Sequence, residues 1–140
     1  MVDALRTVKM LLTPAGCVID VRPVAVDPDL GVCVGHQVEW LGVLGETDHG
    51  IEYRQADDAM AYAIETGIFA REAATTFVFY RYADSLADLR AYFVEHWTDA
   101  VIDPATATRI EQAVAAVSGP SRIVVREHVQ MARLRRGPQD

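Results

Sequence analysis

Residues 5–23, LRTVKMLLTPAGCVIDVRP, constrain the fold more than any other stretch of the chain. Val2, Leu5, Val8 and Leu12 recur at helical spacing and make one apolar stripe. Pro14 and Gly16 stop that helix, because proline removes a backbone donor and glycine favours helix ends. Cys17-Val18-Ile19-Asp20-Val21 follows at once and is almost continuously apolar, which predicts a strand covered on both faces. Pro23 ends the strand, since it cannot donate to a ladder. A helix feeding directly into a strand excludes an all-helical chain.

The rest of the chain continues the alternation. Val24-Ala25-Val26 and Val32-Cys33-Val34 read as short strands around a turn at Asp27-Pro28-Asp29 and Gly31. Val38, Trp40 and Leu44 form a further strand, followed by a polar turn over 46–50. Ala56, Ala59, Met60, Ala63 and Ile64 mark a helix over 54–67 with Gly67 as its C-cap. Residues 75–82, TTFVFYRY, are β-branched and aromatic and predict a strand. Ser85 and Asp88 form a capping box for a helix whose stripe is Leu86, Leu89, Phe93 and Trp97. Asp103-Pro104 starts another helix, lined by Ala107, Ile110, Val114 and Val117. Residues 122–134 alternate as a last strand, and 137–140 form a tail.

These elements predict one α/β (α+β) domain over 1–136, with a mixed sheet of about five strands and four helices. The strands at 17–22, 75–82 and 122–134 are the longest and most apolar, so they are expected at its centre. A chain of 140 residues with half of them hydrophobic is large enough to bury a core. The formal charge is −7, from 20 acids against 13 bases, which argues against a nucleic-acid partner. The one basic cluster, Arg133, Arg135 and Arg136, reads as a solvated strand end. No run reaches the ~18 apolar residues of a membrane span, and no signal-peptide pattern opens the chain. A soluble, cytoplasmic protein without membrane contact is the expectation.

Residues 5–23 resemble the fifth-strand unit of class I S-adenosylmethionine-dependent methyltransferases, type 11-like, in which a leucine-rich L-x-P-G-G turn precedes the strand. Here the turn reads Leu12-Thr13-Pro14-Ala15-Gly16. By the same resemblance, FVFYRYADSLADLRAYFVEHW is the sixth strand with its helix, and RIVVREHVQMARLRR is the seventh strand, antiparallel and last. The resemblance implies the second half of a Rossmann-like methyltransferase sheet. It also implies a departure. The family grips its cofactor with a glycine-rich loop after its first strand and an acid after its second. No Gly-x-Gly-x-Gly loop precedes the first strand here, and Gly42 and Gly45 have the wrong spacing. No cofactor-binding residue carries over, so S-adenosylmethionine enters by resemblance alone. The expected function is a substrate-side fragment or subunit, inactive by itself. A small non-enzymatic α+β ligand-binding or protein-interaction module is the alternative.

Among candidate sites, Asp20 and Arg22 lie on one face at the C-terminal end of the first strand, where ligands bind in open α/β sheets. An acid in an apolar strand is costly unless paired, so an Asp20–Arg22 ion pair is expected, either for a ligand or as a structural pair. Trp40 and Tyr53 complete the substrate-binding candidates, as aromatics suited to a flat organic molecule. The remaining aromatics read as core. Glu127 is expected to pair with an arginine. Cys33 and His36, with Cys17 and His49, give only one short ligand spacing, which favours buried thiols over a metal site. Glu46, Asp48 and His49 read as an ordinary polar turn. No catalytic residue is assigned. An apolar strand edge at 17–22 predicts a homodimer or a complex with a separate N-terminal methyltransferase half.

Overall fold

The computed structural model describes residues 2–47 and 50–137. The expectations placed on Asp48, His49 and 138–140 lie outside the described residues. In chain order the elements are α1 (Val2–Leu11), β1 (Cys17–Pro23), β2 (Asp29–Val34), β3 (Gln37–Val43), β4 (Gly45–Glu46) and α2 (Ile51–Glu65). Then come β5 (Phe69–Ala83), α3 (Leu86–His96), β6 (Ala100–Val101), α4 (Pro104–Ala116) and β7 (Ser121–Arg136). The fold is α+β: β1, β2, β3, β5 and β7 make a five-stranded sheet, and β4 and β6 make a two-stranded one. β1 and β2 each run antiparallel to β7, and β3 runs antiparallel to β2.

The described residues form two compact units that interleave along the chain. The first takes 2–25, 51–77 and 128–137. In it β1 lies along β7, from Cys17 opposite Arg135 to Pro23 opposite Val129. Ala63, Ile68, Phe69 and Leu134 are its buried core, and Val2, Leu5, Leu12, Met60 and Ile64 pack against them. Gly67, at φ +72, ends α2 as the expected C-cap, because that backbone region suits a residue without Cβ. Gly137 donates its N–H to the Ile68 carbonyl at 3.0 Å.

β1 departs from its expected environment. It is covered on one face only: Ile19 and Val21 stay 54% and 53% exposed, and Cys17, expected to be buried, is exposed too. A short apolar run does not reveal how many faces are covered, and here the helices of the unit cover only one. Among the described residues β1 also pairs with β7 alone, so it borders the sheet instead of lying at its centre. β7, which pairs with β1, β2 and β5, takes the central place.

The second unit takes 26–47, 50 and 78–127. β2 and β3 form a hairpin, and β2 continues onto β7 from Asp29 opposite Arg126 to Val34 opposite Ser121. Residues 24–26 are not a strand, and Asp29 and Gly31, expected in a turn, lie inside β2. The ladder shifts register between Leu30 and Gly31, and a Cβ on Gly31 would run into the Glu39 carbonyl oxygen. Close backbone approach, not turning, is what this glycine permits. Leu30, Val32, Leu86, Leu89, Phe93, Ala107, Ile110, Ile123 and Val125 belong to one buried cluster, so the stripe of α3 and the first half of that of α4 meet the strands as their spacing requires, while Val114, expected on the α4 stripe, is 38% exposed.

Both caps form. Ser85 accepts from the Asp88 amide at 3.1 Å, and Asp103 Oδ1 accepts from the Ala105 and Thr106 amides, each at 3.0 Å. Hydrogen bonds from Thr106 hold the Asp103 carboxyl below the usual carboxylate range, helped by the Ala105 amide and by Arg109. A lowered folded-state pKa gives stability that is present above the ordinary carboxylate pKa and is lost as pH falls through the folded value. Thermal melts of wild type and Asp103→Ala should therefore differ near neutral pH and converge in acid. A gap that stays constant down to that range contradicts the capping role.

Two aromatics expected in the core are instead half-exposed: Tyr80 and Tyr82 are 42% and 45% exposed, and the substrate-binding candidate Trp40 is 36% exposed. Each meets an arginine of β7: Arg126 lies 4.3 Å over the Trp40 ring, Arg122 lies 4.5 Å over Tyr82, and Tyr80 hydrogen-bonds Arg126. Cation–π stacking keeps such rings anchored without full burial.

Candidate functional site

The site begins with two side chains on β1. Strand alternation sets Asp20 and Arg22 on the same face, and Arg22 Nε donates to Asp20 Oδ2 at 3.1 Å. The expected ion pair is present and mostly buried, with side chains 14% and 17% exposed. Antiparallel register puts Gln130 of β7 opposite Arg22. Asp57 of α2 closes the group: Arg22 Nη1 lies 2.9 Å from Asp57 Oδ1, and Gln130 Nε2 donates to the same oxygen at 2.7 Å.

Arg22 Nη1 is within ion-pair distance of Asp57 but is not aligned for a hydrogen bond, and it has no other acceptor. A buried guanidinium nitrogen with a spare N–H is costly, and the ion-pair attraction compensates only part of the lost hydration. All four residues belong to the first unit.

Asp20, Arg22 and Gln130 also line a cavity of about 350 Å³ within that unit. Arg71, Thr75 and Thr76 of β5 add polar groups to its wall. Met60, Ile64 and Met131 supply apolar surface. Concave space with an apolar lining and a few fixed polar groups is the usual form of a small-molecule site.

The other two candidates lie elsewhere. Trp40 belongs to the second unit, where it stacks on Arg126. Asp29 Oδ2 accepts from Arg126 Nε at 2.9 Å, and this bond above all holds the Arg126 proton more tightly than usual. Tyr53 is half-buried in the first turn of α2, four residues before Asp57, and is not among the cavity-lining residues.

Asp57, Arg71 and Gln130 were not singled out by sequence reasoning. Gln130 had one available signal, since alternation along 122–134 sets it on the polar side of the last strand. Nothing local marked Asp57, an acid in a helix of mixed polarity, or Arg71, which precedes the run read as a strand.

Other paired charges fall into place. Glu127 meets Arg81 at 3.5 Å, as expected. Arg133 and Arg135 both pair with Glu72, so the basic end of β7 is partly neutralised by β5. Cys33 is buried, and its thiol points to the Gly35 carbonyl at 3.6 Å. Among the described residues no three metal-ligating side chains gather, and no helix is long and apolar enough to cross a membrane.

A Cβ built on Gly31, Gly42 or Gly137 meets the Glu39 backbone, the Thr106 side chain or the Gly67 carbonyl, while one built on Gly35, Gly67 or Gly119 meets nothing within 4 Å. Comparison of the chain with family models, with curated proteins and with solved structures finds no match.

Proposed function

We propose that the chain is the substrate-side half of a class I S-adenosylmethionine-dependent methyltransferase, with the cofactor gripped by residues outside these 140. The observation that carries this reading is the pairing of β7. The last strand runs antiparallel to β1 and also pairs with β5. These are the strands that resemble the family's seventh, fifth and sixth. The charged cavity beside the end of β1 is a place for a substrate in such a half. By itself the chain transfers no methyl group, because transfer needs a methyl donor held in line with its acceptor.

The borders of the first unit suit completion by another element. Among the described residues β1 pairs with β7 alone, which leaves its other edge unpaired, and Ile19 and Val21 are exposed on its uncovered face. On α1, Met10 and Leu11 are 72% and 80% exposed. An unpaired strand edge with exposed apolar side chains recruits another strand. A cofactor-binding half supplies one in this reading; a second copy of the chain, as a homodimer, is the other way to cover it.

Hydrogen exchange tests the point. On mixing with a candidate cofactor-binding half, the β1 amides should become protected while those of α4 stay unchanged. Sedimentation of the chain alone separates the homodimer from the two-part enzyme. A monomer whose β1 amides no candidate half protects contradicts the proposal and favours a self-standing ligand-binding or interaction module.

A further inference from the structure

We propose that the cavity of the first unit binds a small organic monocarboxylate, with Arg71 as the cation that takes it. The inference deepens the reading of this cavity as a ligand site and does not depend on methyl transfer.

The charges on its wall single out Arg71. Arg22 is already held by Asp20 at 3.1 Å and by Asp57 at 2.9 Å. Arg71 makes no ion pair or hydrogen bond among the described residues, yet it lines the same space. A free guanidinium matches a carboxylate with two parallel N–H donors, a fork that an ammonium lacks.

Charge also limits the ligand. Two arginines and one aspartate line the cavity, and Asp57 stands against Arg22 from α2. A single negative charge balances Arg71. A phosphate dianion would share the space with Asp20 without a second free cation to meet it. Thr75 and Thr76 offer hydroxyls for a polar substituent, while Met60, Ile64 and Met131 match an apolar body. About 350 Å³ lies at the small end of the range for such sites.

The test is calorimetric titration of the 140-residue chain with benzoate and with benzamide, which share a shape and differ in charge. Benzoate should bind saturably in the millimolar range, and benzamide at least tenfold more weakly. Arg71→Gln should bring benzoate down to the level of benzamide. Arg90→Gln, in the second unit, should change nothing. Arg71 is exposed and has no partner among the described residues, so its variant should keep the wild-type melting temperature. Arg71→Lys, which retains the charge and loses the fork, should fall between the two. Equal binding of benzoate and benzamide, or tighter binding of inorganic phosphate, overturns the carboxylate assignment and leaves the cavity a ligand site. Heat from neither compound at tens of millimolar overturns both. Failure of S-adenosylmethionine to bind bears on neither.

Discussion

Phe93→Ala should destabilise the second unit by about 4 kcal/mol. Phe93 is 6% exposed and lies in the cluster with Leu89, Ile110 and Ile123. Its ring meets Trp97 edge-on at 5.9 Å and Tyr92 at 6.3 Å. Truncation removes the transfer energy of the ring and leaves a cavity that α3, fixed by its Ser85 cap, cannot close. Edge-to-face contacts add about 0.5–1.5 kcal/mol per pair. Urea unfolding followed by tryptophan fluorescence measures the loss, since Trp97 sits beside the substituted ring. A shift near ~1 kcal/mol would mean a loosely packed α3, contrary to the burial seen here.

Asp20→Ala should cost about 3 kcal/mol, although it deletes only one small side chain. The cost comes from what remains. Arg22 is 17% exposed, and without Asp20 its Nε loses its acceptor and its charge keeps only Asp57. Replacing both members, Asp20→Ala with Arg22→Met, should recover most of the loss, because no unpaired charge is then buried. Denaturant midpoints of the two single variants and the double variant close the cycle. Additive losses would mean that the two side chains do not act as a pair. Full recovery of stability in the double variant, with loss of benzoate binding, would assign the pair to ligand binding more than to folding.

The fold was legible where local chemistry decides it. The Ser85 and Asp103 caps and the Gly67 stop rest on contacts within a few residues, and the α3 stripe on a spacing that any core would meet. Strand environment was not legible. Val18, Ile19 and Val21 look alike in sequence, yet Ile19 and Val21 face away from the core because no helix of their unit covers that side. Gly31 looked like a turn residue because its demand comes from Glu39, eight positions on. Tyr80 and Tyr82 looked like core because arginine partners on another strand cannot be read from an apolar run. At the candidate site, the Asp20–Arg22 pair was legible because both residues lie on one strand face. Asp57 and Gln130 reach Arg22 from sequence separations that no local pattern spans.

Calorimetric titration with S-adenosylmethionine and S-adenosylhomocysteine tests the proposed function most directly. The chain by itself should give no saturable heat with either compound at millimolar concentration. A candidate half carrying a Gly-x-Gly-x-Gly loop should bind both, and more tightly once the chain is added, because β1 then completes its sheet. Micromolar binding by the 140 residues alone would contradict the division of the site proposed here, and a candidate half whose affinity is unchanged by the chain would contradict the partnership.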